Sequence, residues 1–402
     1  MEPSLESGNG QDCVRCCATN SSNEFMFDNY THRLIVGSVV ALIAIAGTTG
    51  NALVIVAVIV SRKLRTTTNA FVVNLSVSDL LSSVLLPFNV YTGVFKGEDQ
   101  PLPDWLCTAV SYTLLLGLGT CIFSLSLIAL NRYVLLTRTL ATYQKVYQRR
   151  FIALMVCFSW VYPSMLLVVT FAISDSAVYG YSRKYRICLR DSTRGENSSI
   201  VNSIGGAFLV LPTILVTLVA YAFIYRHLRR HNRKRLKTVK MRFHPMSNNG
   251  DLAMHLGDPK DAGTEGVPPS PDAKTTPQDT SRQGCDVSNT EEASSSPRAP
   301  TPPEQRILNV QTNITISLFI IVCVHIVLML PFAISILTKC SDFALPWIFV
   351  LFVATPAVNP LVYGWKHPHF RMVFKSMLTC RYKDIPEPSQ IGRCGCLNRS
   401  SL

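Results

Sequence analysis

Seven long apolar segments, separated by polar ones, dominate the pattern of this 402-residue chain. Each segment is long enough to cross a bilayer as a helix, which takes about 20 apolar residues. The pattern predicts an all-α membrane protein built as a seven-transmembrane helix bundle. The predicted spans lie near residues 34–60, 69–95, 105–131, 151–172, 199–225, 307–338 and 343–364.

Positive charge is confined to the segments between the spans, mostly to alternate ones. If the N-terminus lies outside, 29 of the 38 Lys and Arg residues fall on the cytoplasmic side and nine fall outside. This asymmetry follows the positive-inside rule and accounts for the net charge of +13 without a nucleic-acid partner. Residues 1–33 lack the apolar core of a cleavable signal, so we expect the first span to insert the chain. The predicted location is the plasma membrane, with multiple passes and an extracellular N-terminus.

Polar segments flank and interrupt the predicted seven-helix domain at 34–364. Residues 1–33 are predicted to be an extracellular, glycosylated N-terminus. Residues 226–306 form a cytoplasmic loop that begins with a basic helical extension; the rest is of low complexity and cannot bury enough apolar surface to fold, so we predict disorder. The glycosylation acceptors expected on the outer side are Asn20, Asn29 and Asn197.

An amphipathic helix is predicted at 365–379, after the last span, and a cytoplasmic tail at 380–402. Apolar side chains recur in this helix at i, i+3, i+4 and i+7, which suits a helix lying on the inner leaflet. These apolar positions are Phe370, Val373, Phe374 and Met377. Cys380, at the end of the helix, is a candidate for palmitoylation, the alternative being a reduced cysteine. The final residues, Ser400 to Leu402, match a pattern that PDZ domains bind.

Single residues within the spans distinguish between the classes of seven-span protein. The 25 residues from Cys107 to Arg132 place a cysteine and an arginine at opposite ends of the third span. The other landmarks are Gly50-Asn51, Asp79, Pro87, Trp160 with Pro163, Pro212, Pro331, and Asn359-Pro360 with Tyr363 and Phe370. In these positions the chain resembles the rhodopsin-like (class A) G-protein-coupled receptors, over all seven spans and the helix that follows. The triplet Asn131-Arg132-Tyr133 is also similar to that of melatonin-type receptors, whose sixth-span tryptophan is absent here.

The resemblance implies an activation switch at the cytoplasmic ends of the spans. Arg132 would meet a heterotrimeric G protein, and Tyr363 of the Asn359-Pro360 motif would swing beneath it; arrestin and receptor kinases are further implied partners. Asn131 replaces the usual aspartate, and Gln311 stands where the family has an acid on the sixth span. We therefore expect a weakened closed state with raised signalling in the absence of a ligand.

Asp79 is the one acidic residue within a predicted span. A bare charge there is costly, so it is expected to be hydrated, protonated or paired with a cation, with Asn51, Thr355 and Asn359 as neighbours. The resemblance implies a sodium ion at this place. Cys121, where the family often has a serine, is a poorer ligand for a hard cation.

The resemblance also implies a disulfide between Cys107 and Cys188, which would fix the second outer loop over the bundle. Four other cysteines on the outer side allow three fully paired arrangements, between which the sequence does not choose. These are Cys13, Cys16, Cys17 and Cys340.

The ligand pocket is predicted to be largely apolar. Leu114 stands where amine receptors have an acid, and Val353 stands where opsins have a lysine, so an ammonium counter-ion and covalent retinal are both excluded. The predicted lining consists of Asn89, Tyr91, Leu114, Leu118, Met329, Phe332 and Phe349. A neutral small molecule, a lipid, or a peptide that meets the basic second outer loop all fit this lining.

The alternatives to a coupled receptor are a membrane enzyme, a transporter and a non-coupling receptor. A membrane enzyme would need a cluster of metal ligands or nucleophiles within the spans, and the sequence shows none there. A transporter would be expected to show repeat symmetry and several charged residues within the spans, whereas the predicted spans contain only Asp79. A non-coupling or decoy receptor is the remaining alternative, because Met329 and His325 replace the aromatic residues of the sixth span. His325 itself is expected to be a neutral core histidine or a pH sensor.

Overall fold

The structure, a computed structural model, describes residues 29–96, 101–173, 179–183, 185–190, 206–242, 302–338 and 345–389. Within these ranges seven helices are long and apolar enough to cross a membrane, which confirms the predicted fold class. We number them as the first to seventh spanning helices. Their bounds are Tyr30–Val60, Thr67–Val94, Asp104–Thr137, Arg149–Ile173, Leu211–Arg242, Pro302–Thr338 and Leu345–Lys366.

Several boundaries differ from the sequence prediction. The first helix begins at Tyr30, inside the predicted N-terminal segment, because the Asn29 side chain accepts the Thr31 N–H at 2.9 Å and caps the helix. The fifth helix runs on to Arg242, which agrees with the predicted basic helical extension, whereas the sixth begins at Pro302, inside the predicted loop 226–306. Helices continue beyond lipid where their residues favour it. Residues 232–305 form a separate unit, of which only 232–242 and 302–305 are described.

Asn74 joins three spanning helices through hydrogen bonds that lipid could not supply. Its side-chain amide donates to Ser124 Oγ at 2.8 Å and to Ser159 Oγ at 3.0 Å, and its carbonyl oxygen accepts the Trp160 indole N–H at 2.8 Å. The second, third and fourth helices are therefore tied together in the middle of the bundle.

The first and seventh helices approach each other at a glycine. A Cβ atom on Gly50 would lie 2.7 Å from the ring of Pro360, so no larger residue fits without a shift. One residue later, the Asn51 amide donates to the carbonyl of Pro356 at 2.9 Å. Close backbone approach and a direct hydrogen bond hold this pair together.

A two-stranded antiparallel hairpin, Tyr179–Ser182 with Ile187–Arg190, covers one end of the bundle, which we call the hairpin end. The disulfide between Cys107 and Cys188, predicted from the resemblance, is present, with the two Cα atoms 5.1 Å apart. The Cys188 N–H also donates to the Asn89 side-chain oxygen at 2.6 Å. The hairpin is thus attached to the second and third helices.

The opposite end carries Arg132, and we call it the arginine end. The amphipathic helix Pro368–Leu378 lies here. Its apolar residues Phe370, Val373 and Phe374 are buried inside the protein, and Phe370 stacks on Tyr363 with ring centres 5.3 Å apart. This part of the apolar face packs against the first and seventh helices, and the position of the helix on the inner leaflet stays a prediction.

The chain then returns to the end of the first helix. Ile385 is buried, and the backbone around it pairs with the first helix: Arg62 N–H donates to Glu387 at 2.9 Å and Ser389 N–H to Val60 at 2.7 Å. The buried Ser61 hydroxyl donates to the Pro386 carbonyl at 2.7 Å. The first part of the predicted tail is therefore a structured part of the arginine end.

His367 starts the amphipathic helix, and its ring nitrogen Nδ1 accepts the Phe370 N–H at 3.4 Å. Burial lowers the pKa of His367 from 6.5 to about 3, and the nearby charges of Arg132 and His369 act in the same direction. The imidazole is therefore neutral in the fold, as an acceptor at a helix cap must be.

Acidification is expected to destabilise the receptor through His367. Between pH 6.5 and about 3 the unfolded histidine binds a proton that the folded one does not, so stability is lost as the pH falls. At about pH 5 this loss amounts to about 2 kcal/mol. His367→Asn keeps an oxygen at the cap and does not titrate, so its apparent melting temperature in detergent should fall less between about pH 7 and about pH 5.

The matched control is His227→Asn, since His227 is exposed on the fifth helix. This variant should retain the full pH dependence of the wild type. An equal fall in melting temperature for His367→Asn and the wild type would contradict the assignment.

Candidate functional site

Arg132 lies almost fully buried at the arginine end, with 3% of its surface exposed. Its guanidinium Nη1 donates to Gln311 Oε1 on the sixth helix at 3.0 Å. From the sequence, Gln311 was expected to leave Arg132 without its usual acidic partner on the sixth helix. The structure corrects this, because a neutral amide accepts the hydrogen bond where an acid was expected.

Asn131 bonds away from Arg132. Its side-chain oxygen accepts the Thr68 hydroxyl at 2.5 Å, and its amide donates to the Tyr143 hydroxyl at 3.2 Å. Asn131 therefore ties the third helix to the second and to the short helix Leu140–Val146. Tyr133 turns outward and packs against Phe223, with ring centres 5.8 Å apart.

Two buried tyrosines lie near the arginine. Tyr363 is fully buried, and Tyr221 is 7% exposed; neither hydroxyl has a hydrogen-bond partner among the described residues. Ala220 and Tyr221 are both buried, so the inward face of the fifth helix includes both residues. That face consists of Thr217, Ala220, Tyr221 and Ile224, at helical spacing.

Asp79 is buried in the middle of the bundle and accepts a 2.5 Å hydrogen bond at Oδ2 from the Asn359 amide. The other two predicted neighbours bond elsewhere. Asn51 donates to the Gly47 and Pro356 carbonyls, and the Thr355 hydroxyl donates to Phe352 within its own helix. Thr355 nevertheless lines the same small cavity as Asp79.

Cys121 lies between Asp79 and the sixth helix. It lines the same small cavity as Asp79, and its Sγ lies 3.5 Å from His325 Nε2. A hard monovalent cation prefers oxygen ligands. The cavity at Asp79 offers the hydroxyl residues Ser82 and Thr355, but the third helix contributes a sulfur and Asn359 donates an N–H to the carboxylate. These side chains fit sodium poorly.

The cluster of apolar side chains at the hairpin end contains most of the predicted pocket lining. Leu114 and Phe349 are buried in it, and Leu118, Met329 and Phe332 pack against it. Two predicted residues are placed differently.

Tyr91 is 47% exposed and packs on Phe95, because it lies two positions along the helix from Asn89 and points about 200° away. It does not line the cavity, so this prediction is corrected. Asn89 is buried, but its oxygen already holds the hairpin, and its amide nitrogen has no partner among the described residues.

Arg33 was missed by the sequence analysis, which placed it in the N-terminal segment. It is buried in the first helix and donates to the Phe95 carbonyl at 3.0 Å. Together with Asn89, Tyr185 and Phe349 it lines a narrow cleft under the hairpin. The position of Arg33 directly before a predicted span could have indicated this, because a spanning helix often begins outside the hydrocarbon layer.

The described residues include two of the predicted modification sites. Asn29 and Cys380 are exposed, as either modification requires. The other predicted sites lie outside the described residues. They are Asn20, Asn197, the four further outer cysteines Cys13, Cys16, Cys17 and Cys340, and Ser400 to Leu402.

Comparisons with known proteins agree with this arrangement. The family model of the "7 transmembrane receptor (rhodopsin family)" matches residues 50–363. The chain is 24% identical to the G-protein coupled receptor moody of Drosophila melanogaster over 85% of its own length and 50% of that protein. It is 22% identical to the human thyrotropin-releasing hormone receptor, covering 89% of this chain and 81% of that one. The chain thus spans about half the length of the first curated relatives it matches.

Among solved structures, the fold matches squid rhodopsin with a TM-score of 0.63 at 15% identity, covering 93% of this chain and 92% of that one. At this identity the likeness supports the fold alone. The family match extends from Gly50 to Tyr363, so it includes Asp79 and Arg132 with the residues that contact them. The chain therefore belongs to the rhodopsin family of seven-transmembrane receptors, which are receptors and not enzymes.

Proposed function

We propose that this chain is a cell-surface receptor that converts binding of an extracellular ligand into activation of a heterotrimeric G protein. The observation that carries the proposal is the state of Arg132, which is buried at the arginine end and held on the sixth helix by one neutral amide. A charged hydrogen bond to an amide is easily exchanged for one to a partner protein. The third helix links this arginine to the disulfide at the hairpin end.

We propose further that the hairpin end is extracellular and the arginine end cytoplasmic, in the plasma membrane. The excess of basic residues in the segments at the arginine end supports this orientation. A disulfide at the hairpin end supports it too, since such bonds persist in oxidising surroundings.

The ligand is proposed to need no ammonium group. Leu114 is 3% exposed within an apolar cluster, so a buried positive charge would find no counter-ion at this position. One relative, the tachykinin-like peptides receptor 99D of Drosophila melanogaster, is named for peptide ligands, and another, the 5-hydroxytryptamine receptor 7 of Xenopus laevis, is named for a small molecule. A peptide and a neutral small molecule or lipid are therefore all kept as proposed ligand classes.

Further partners and modifications follow from the arginine end. Exposed Cys380 follows Leu378, which is 73% exposed, so a palmitoyl chain there would extend an apolar surface that already faces outward. Arrestin, receptor kinases and a PDZ domain at Ser400 to Leu402 remain proposals of the same kind, as does glycosylation of Asn20, Asn29 and Asn197.

A receptor that binds a ligand without coupling is the second candidate. The substitution of Met329 and His325 for aromatic residues on the sixth helix favours it, because that helix must move for coupling. Nucleotide exchange decides between the two.

Purified receptor, incubated with each class of G protein and no ligand, is expected to accelerate nucleotide exchange, and Arg132→Ala is expected to abolish the effect. Gln311→Glu should lower agonist-free exchange about tenfold, because it replaces a neutral acceptor of Arg132 with a charged one. Gln144→Glu, which adds the same charge on an exposed position of the short helix, is the matched control and should change little. Exchange by the wild type equal to that of Arg132→Ala, with every G-protein class, would support the non-coupling receptor instead.

Sodium is expected to have no effect on agonist-free exchange when it replaces choline at equal ionic strength. Cys121→Ser should introduce a sodium-dependent decrease, because a hydroxyl oxygen suits a hard cation beside Asp79. Cys323→Ser, on the sixth helix, is the control and should stay insensitive. Equal suppression of the wild type and of Cys121→Ser by sodium would show that the sulfur does not exclude the ion.

A further inference from the structure

A polar contact joins the third and sixth helices at the level of Asp79. Cys121 Sγ and His325 Nε2 are 3.5 Å apart, and the two residues are 4% and 3% exposed. A fully buried histidine needs partners for both ring nitrogens, since lipid and apolar side chains supply none.

The second ring nitrogen fixes the direction of the hydrogen bond. His325 Nδ1 lies 3.0 Å from the Ile321 carbonyl, one turn earlier in the same helix. A carbonyl only accepts, so Nδ1 carries the proton and the neutral ring leaves Nε2 as an acceptor. Cys121 is then the donor, through its thiol.

Asp79 lies near the thiol, because it lines the same small cavity as Cys121. Asp79 is on the second helix and already accepts a hydrogen bond from Asn359 of the seventh. Polar side chains of the second, third, sixth and seventh helices are therefore grouped at this level of the bundle.

We propose that the contact between Cys121 and His325 is a polar clasp that holds the sixth helix against the third in the resting receptor. The proposal rests on the function proposed above. When the sixth helix moves outward, this contact breaks and His325 Nε2 loses its hydrogen-bond donor. The unpaired imidazole nitrogen is what biases the receptor toward rest. His325 is thus a positioning residue that replaces an aromatic packing contact with a directional one.

A double-mutant cycle tests the clasp. Cys121→Ala and His325→Phe are each expected to raise agonist-free nucleotide exchange about two- to fivefold, and the double variant no further than the larger single effect. Cys121→Ser should stay near the wild-type rate in choline, since the hydroxyl still donates. Cys323→Ala, two residues from His325 and outside the contact, is the matched control and should equal the wild type.

A readout without a G protein keeps the clasp and the proposed function separable. Hydrogen–deuterium exchange over residues 310–325 should rise in Cys121→Ala and in His325→Phe, and should stay unchanged in Cys121→Ser and Cys323→Ala. If these segments respond while no variant activates any G protein, the proposed coupling fails and the clasp stands. Multiplying effects in the double variant, or an unchanged deuterium uptake in His325→Phe, would overturn the clasp.

Discussion

Hydrocarbon offers no hydrogen-bond partners, and this constraint decides where the buried amide and carboxyl side chains of the bundle lie. Asn51, Asn74 and Asp79 are all buried, and each reaches a partner on a neighbouring helix. Because each of these residues has few places where it can be satisfied, it fixes how its helix is rotated. The apolar side chains fill the space between the helices, and the polar ones decide which helices meet and at what level.

The same constraint explains the use of neutral groups at the arginine end. An acid beside Arg132 would bind it more strongly but would add a second ion to desolvate. Gln311 satisfies one guanidinium nitrogen at 3.0 Å, and Asn131 bonds to Thr68 and Tyr143. The resting arrangement therefore depends on several modest hydrogen bonds. A small free-energy difference between two arrangements of the helices is what a ligand can shift.

Hydropathy predicted the seven spans, the cost of a bare charge in the membrane predicted a partner such as Asn359 for Asp79, and the family resemblance implied the disulfide to Cys188. Sequence reasoning failed where the direction of one side chain decides the outcome. Tyr91 was assigned to the wrong face, since an inward face covers positions i, i+3 and i+4 and neighbouring residues fall on either side of its edge. The return of Ile385 to the first helix had no periodic signal, because backbone hydrogen bonds of a loop leave no pattern in the side chains.

The third helix runs from the hairpin end to the arginine end and makes contacts at both. Cys107, Cys121 and Arg132 are separated by 14 and 11 residues, and at about 100° per residue both steps return to nearly the same face. That inward face holds the hairpin at one end, contacts His325 in the middle and binds Gln311 at the other end. Two of these three contacts are to the sixth helix. A ligand that displaces the sixth helix near Met329 must therefore strain both of them, and they lie on the path between the hairpin end and the arginine end.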